Sequence, residues 1–415
     1  MKIAVVDIFL MIIYFLSLYF AIFWMIVFFE KDISEKKKRL KRHPLVTVVL
    51  PAYNEEKTII HSVKSVLNLN YPKDKLEIIV VNDGSQDRTR EKVEEFKKLH
   101  PEIILINQKN QGKGVAMNKA LKIARGEFFV CLDADSIVHK DALRILLPEF
   151  ENKNVAIALP ILKAKKPKNI LQWMQKAEYL INFFYKKLMG CLDCIHVAPG
   201  PFSVYRTEIL RKVGGFDESN LTEDLEMAIR LQKHNYKLVQ NNLAEVYTPV
   251  PSTFKSFYRQ RNRWFKGGIL NALKYRNMIF NPKYGDFGLI QIPILILSAI
   301  FAVVLLVTTA YSFFKPYVLY FLNMRLVEFD FLTFLKDITF NVYWLDLNFI
   351  NTTILIFMLC ITSFVMYLSF KYSREKVRDY IKPNIVIYIM FYFFILSIVW
   401  LGVVKDLIFK RIQTW

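Results

Sequence analysis

Cysteine is scarce, with four thiols in 415 residues. Cys191 and Cys194 form one C-x-x-C, and no second pair follows. That argues against a disulfide framework or a four-cysteine zinc site, and the pair reads as two packed thiols. The chain has no G-x-x-x-x-G-K-[ST], which disfavours a P-loop nucleotidase. Acidic residues are in deficit, 37 Asp and Glu against 57 Lys and Arg, for a formal net charge of +20. A nucleic-acid binder would gather that charge in one stripe with interleaved stacking aromatics. Here much of it flanks apolar runs, where it meets anionic headgroups, so the expected partner is a lipid bilayer and no nucleic acid.

Apolar length, in contrast, is abundant, with 35 Phe and 21 Tyr. Ile8 to Phe29 is uncharged over 22 residues, enough to cross a bilayer as a helix. Lys2 is the only basic residue before it and no small-residue cleavage site follows, so it reads as a retained anchor. Three more uncharged runs, Phe287–Phe314, Leu347–Phe370 and Pro383–Val404, come late. The expected division is an N-terminal transmembrane helix (1–30), a basic linker (31–45), a globular domain (46–253), an interfacial amphipathic segment (254–286) and about three C-terminal transmembrane helices (287–415). Lys and Arg concentrate in residues 30–43 and 371–382. The resulting expectation is a multi-pass cell-membrane protein with its globular domain cytoplasmic, and with loop 315–346 and both termini outside. The basic tail 405–415 fits this poorly, and a re-entrant segment around Tyr317–Leu322 is one repair.

Within the globular part, Val46–Leu50, Leu76–Val81, Ile103–Ile106 and Phe128–Leu132 read as strands alternating with helical segments, an α/β pattern with a parallel sheet. Polar residues follow each strand end, where open α/β sheets bind ligands. Asp133 and Asp135 follow the last of these strands. In extended backbone, residues i and i+2 share a side, and paired carboxylates suit Mg²⁺ or Mn²⁺ bridging to a diphosphate. Singly these signals are weak, since an isolated D-x-D is also a common acidic turn. His139 reads as a helix-start residue rather than a further ligand.

The ordered set is specific: P-A-Y-N-E (51–55), V-N-D-G-S-x-D-x-T (81–89), G-K-G-x-A-x-N (112–118) and D-A-D (133–135). It resembles the nucleotide-binding half of family 2 glycosyltransferases, over about Val46 to Ser136. The resemblance implies a GT-A, Rossmann-like domain beside the α-helical transmembrane region. It implies that Tyr53, Glu55 and Asp83 hold the nucleoside, that Lys113 and Asp133 contact the nucleotide-sugar, and that Asp135 binds the divalent metal.

Downstream, Thr222-Glu223-Asp224 opens a helical pattern that Asn220 or Thr222 can cap. The helix dipole favours ionised carboxylates there. In similar transferases the last residue of T-E-D is the base that takes the acceptor's proton, which would be Asp224, with Glu223 beside the acceptor. Pro199–Ser203 looks like the loop near the acceptor sugar. Gln260-x-x-Arg263-Trp264, ahead of the membrane helices, resembles the processive cellulose, chitin, hyaluronan and poly-N-acetylglucosamine synthases. By that likeness Arg263 contacts the diphosphate, and Gln260 and Trp264 meet the acceptor. Residues 170–189 mix aromatic and basic positions as an amphipathic helix on the leaflet would.

The implied activity is inverting, metal-dependent transfer from a nucleotide-sugar donor, a UDP-sugar in particular, to a growing polysaccharide. Single transfer to a lipid or lipid-linked acceptor is the alternative, and a transporter with a non-catalytic domain is remote. Four crossings are few for a polysaccharide channel and no gating-loop motif of the cellulose synthases is found. A homo-oligomer or membrane partner therefore stays open.

Overall fold

The protein is seen here as a computed structural model that describes residues 5–31, 38–323, 349–375 and 384–409. Part of the basic linker, most of loop 315–346, loop residues 376–382 and tail residues 410–415 lie outside these.

Eight strands form one sheet: β1 (Val46–Ala52), β2 (Leu76–Asp83), β3 (Ile103–Gln108), β4 (Phe128–Cys131), β5 (Ile137–Val138), β6 (Val155–Ala164), β7 (Ser203–Arg206) and β8 (Lys237–Thr248). Their order is β3-β2-β1-β4-β7-β6-β8-β5. β3, β2, β1 and β4 are parallel, β7 pairs antiparallel with both β4 and β6, and β6 and β8 are parallel. Alternate side chains feed opposite faces. Val48 and Leu50 join one core with Ile78 and Val80, while Val49, Ile79 and Val81 build the other. Burial on both faces is why β1 and β2 read as continuous apolar runs.

Helices α1 (Val5–Glu30), α2 (Ile59–Leu67), α3 (Thr89–Leu99), α4 (Lys113–Ile123), α5 (Ala142–Leu146), α6 (Ile170–Cys191), α7 (Thr207–Lys212), α8 (Glu223–Lys233) and α9 (Phe254–Lys274) precede three long C-terminal ones: α10 (Ile292–Asn323), α11 (Phe349–Ser373) and α12 (Asn384–Ile408). Among the described residues, four helices are long and apolar enough to cross a membrane, over Met11–Glu30, Phe287–Thr308, Ile356–Ser373 and Ile387–Ile408. Tyr317–Leu322 is not a separate segment: it continues α10 past Pro316 to Asn323. α6 begins at an Asn169 cap that accepts from Gln172 N at 2.9 Å. Its Phe183, Phe184 and Leu188 pack against Trp24 and Val27 of α1 and Val365 of α11, so α6 carries the junction between the sheet domain and the apolar helices. Cys191 and Cys194 each donate a thiol hydrogen to a backbone carbonyl, of Lys187 and Leu192.

Candidate active site

In the parallel half, chain order runs outward from β1 to β3 and then returns to place β4 on the other side of β1. That reversal opens a crevice between the loops following β1 and β4, the place where open α/β sheets take ligands.

The loops after β1 and β2 are stitched together. Asn54 N donates to Ser85 Oγ at 3.0 Å, Gln86 N to Asn54 Oδ1 at 2.8 Å, and Glu55 N to Thr89 Oγ1 at 2.7 Å. Asn54 and Gly84 both take positive φ, +57° and +72°. A Cβ on Gly84 would stand 2.5 Å from Asn110 N, so only glycine permits this approach. Tyr53 stays exposed at the rim. Asp83 is buried, and its oxygens accept from Gln108 Nε2 at 2.7 Å and from Gln111 N and Gly112 N, each at 2.9 Å. It fixes the turn that launches α4, and a nucleoside contact would have to share those oxygens.

α4 begins at Lys113, whose Nζ is 2.7 Å from Asp133 Oδ1 and 3.4 Å from Glu223 Oε1. Burial opposes its charge, but Asp133, Cys131 and Glu223 outweigh that and raise its pKa. Gly200, in the Pro199–Ser203 loop, covers the pair, and a Cβ there would lie 2.3 Å from Lys113 Nζ.

β4 ends at Cys131, so Asp133 and Asp135 do not continue the extended backbone expected of them. They occupy a turn closed by Ser136 N donating to Asp133 O at 3.0 Å. The two carboxylates still sense each other. Burial first, then Asp133, and also Glu55, push Asp135 up to about 6. Ser136 Oγ donates to Asp135 Oδ1 at 2.9 Å, and Lys165 Nζ to Asp135 O at 2.5 Å. His139 is exposed, 3.9 Å from Asp141, apart from this cluster. No group of three His, Cys, Asp or Glu side chains able to hold a metal ion exists among the described residues. The donor set nonetheless fits a hard dication: all-oxygen, acidic and mutually repelling. Mg²⁺ commonly takes one or two carboxylates and completes its shell from phosphate and water.

On the other wall, Thr222 occupies the α8 cap position without a capping bond. Its hydroxyl instead accepts from Asn271 Nδ2 at 3.0 Å, and Asn220 Oδ1 takes Thr222 N at 3.0 Å. Asp224 lies in a recess. Burial, then Glu223, raise it to about 6 against the pull of Lys113 and Arg263. Glu223, expected beside the acceptor, is buried and faces Lys113. α9 supplies Gln260, Arg263 and Trp264. Gln260 Oε1 accepts from Arg261 at 2.7 Å, and Arg261's guanidinium stands 4.2 Å from the Trp264 ring centroid. One face of that indole is therefore engaged.

Motif reading missed three features. Arg261 is wholly buried and ion-paired with Glu178. Lys186 of α6 is lowered to about 8 by burial against the opposing field of Asp224. His196 is lowered to about 4 by burial and by Lys186. None lies in a recurring spacing. The aromatic and basic mix of 170–189 had pointed only to an amphipathic helix on the leaflet.

A parallel-sheet core extended by an antiparallel strand, with an acidic crevice at its switch point, defines a GT-A-type domain. Residues 47–214 match the family model Glycosyl transferase family 2, so the chain carries a domain of that type. A probable glycosyltransferase of Bacillus subtilis is 33% identical over 263 residues, covering 61% of this chain and 62% of its own. A poly-beta-1,6-N-acetyl-D-glucosamine synthase of Staphylococcus epidermidis is 32% identical over 225 residues, covering 54% of each. The alignments thus span less than two thirds of either relative. In fold, the chain is similar to a mannosyltransferase of Pyrobaculum calidifontis solved with GDP-Man and Mn²⁺. The TM-score is 0.51 at 21% identity, covering 74% of this chain and 90% of that one.

Proposed function

We propose that the protein is an inverting, metal-assisted membrane glycosyltransferase that moves a sugar from a UDP-sugar onto a growing polysaccharide. The observation that carries this reading is the convergence of Lys113, Asp133, Glu223 and Asp224 on one crevice. The likeness to a synthase of a poly-N-acetylglucosamine supports the polymeric product.

In this reading Tyr53, Glu55 and Asp83 border the nucleoside, and Lys113, Asp133 and Arg263 border the diphosphate and donor sugar. Asp135 holds Mg²⁺ or Mn²⁺, which when bound neutralises charge on the leaving diphosphate. Gln260 and Trp264 bear on the acceptor, with Glu223 tying the α8 turn to Lys113. Asp224, as carboxylate, takes the proton of the attacking hydroxyl. The new C1–O bond forms as the bond from C1 to the diphosphate breaks, with inversion, and the nucleoside diphosphate leaves. Lys113 and Arg263 offset the charge that builds on it.

Purified protein in lipid, given a panel of UDP-sugars with Mg²⁺ or Mn²⁺, is expected to yield a ladder of polymer lengths from one donor. A single added sugar would replace the polymer reading by transfer to a lipid-linked acceptor. Failure to turn over any nucleotide-sugar would defeat the transferase reading.

A further inference from the structure

Among the described residues, four helices meet the length and hydropathy of a membrane span, but they relate differently to the sheet domain. α1 meets α6 through Phe23, Trp24, Val27 and Phe28, near its C-terminal end. α10 meets the domain through Ile292, Leu295 and Ile296, at its start. α11 does so through its second half, from Ile361 to Tyr372. A crossing helix touches a domain on one side of the membrane near one of its ends, as these three do.

α12 touches it along nearly its whole length. Ile387, Tyr392, Val399, Val403 and Leu407 share one cluster with Leu171 and Met174 of α6 and Phe257 and Phe265 of α9. Tyr392 meets Phe257 with ring centroids 6.1 Å apart, and Trp400 stacks on Phe265 at 4.6 Å and 5°. A Cβ on Gly402 would collide with the Tyr258 hydroxyl. From Tyr392 to Asp406 the helix covers about 21 Å while it keeps these contacts.

Charge ties the chain to the domain on both sides of the α11–α12 connection. Just past the end of α11, Glu375 pairs with Lys163 of β6 at 3.1 Å and Lys176 of α6 at 3.7 Å. At the far end of α12, Asp406 Oδ2 accepts from the buried Lys266 Nζ of α9 at 2.7 Å. Lys266 adjoins Gly267, where a Cβ would lie 2.3 Å from Thr222 Oγ1, at the turn carrying Asp224. Asp406 is therefore level with the crevice, whereas a helix that crossed would carry this end about 30 Å away through hydrocarbon. The opposite stripe of α12, Phe391, Phe394, Ile398, Leu401 and Ile408, is apolar and exposed. The face that a free interfacial helix gives to water is here packed on protein.

We propose that α12 does not cross the bilayer. It lies within the leaflet on the catalytic domain's side, with one stripe on α6 and α9 and the other against lipid acyl chains, and both its ends are on the domain's side. α1, α10 and α11 are then the crossings. Lys405, Lys410 and Arg411 fall on the same side as the other basic segments, which removes the charge conflict of a four-span topology. The proposal is independent of the donor and of the reaction.

The test is side-specific labelling of full-length protein in sealed membrane vesicles of both orientations, on a Cys360→Ser background. Phe409→Cys marks the end of α12, and Lys98→Cys marks the domain surface. A membrane-impermeant maleimide is expected to reach both from the same side. Modification of the two positions from opposite sides would overturn the proposal. An epitope fused after residue 415 and probed with protease in the same vesicles gives the same assignment without an internal substitution. Cleavage together with the domain supports it, and protection when the domain is cut refutes it.

Discussion

Lys113 Nζ stands 2.7 Å from Asp133 Oδ1, and the same ammonium is 3.4 Å from Glu223 Oε1. One side chain at the start of α4 thus joins the acidic turn after β4 to the first turn of α8. The strand-end half and the α8–α9 half of the crevice meet there, and Gly200 closes over the contact.

Asp224→Asn is expected to lower transfer by about 10²–10⁴-fold while nucleotide affinity, measured by calorimetry, stays unchanged. Equal loss of both would contradict its role as base. The wild-type rate should also fall on the acid side. Asp224 acts as carboxylate and is raised to about 6, so turnover holds above that pH and declines about tenfold per unit below it.

Asp135→Ala should abolish the metal dependence of nucleotide binding. The ratio of UDP affinities with and without Mg²⁺ is expected to fall to about one. A ratio equal to wild type would remove Asp135 from the metal site.

Gly200→Ala would place a Cβ 2.3 Å from Lys113 Nζ and 2.6 Å from Asp133 Oδ1. Lys113 must swing away, because it is the flexible partner. The expected result is a donor KM raised by about tenfold to a hundredfold with an unchanged melting temperature. An unchanged KM would show that the Lys113–Asp133 contact is dispensable for the donor.

Glu77 tests the scaffold rather than the chemistry. It is buried and accepts from Thr47 Oγ1 at 2.6 Å, Arg125 N at 3.0 Å and Arg125 Nε at 2.8 Å. Glu77→Ala should cost about 2–3 kcal/mol by chemical denaturation, because these donors lose a charged acceptor. Burial alone would raise this carboxyl, but bonds from Arg125 and Thr47 hold it below its ordinary value of 4.5. Its stabilisation is therefore present above that value and is lost as pH falls through the lower, folded pKa. The gap between wild type and variant should narrow in acid.

Much of the domain was legible because strand and helix periods are local properties. Val46, Val48 and Leu50 announce a buried strand, and the turn chemistry of Asn82–Asp87 announces its neighbour's end. The tethering of Asp83 to Gln111 and Gly112 was not legible, nor was the turn at Asp133–Asp135 that replaced an extended pair. Each depends on which backbone groups lack a partner once the strands have paired, and spacing carries no record of that.

The sequence by itself determined the class of domain, the order of its motifs and the presence of four long apolar segments. Those follow from residue type and period, which burial and hydrogen bonding impose one segment at a time. Only the tertiary structure decided that Glu223 faces Lys113, that Arg261 is buried in α9 and paired with Glu178, and that Asp406 reaches Lys266. Hydropathy reports the cost of placing α12 in water and is the same whether its partner is lipid or protein. The partner became known only when the chain closed on itself.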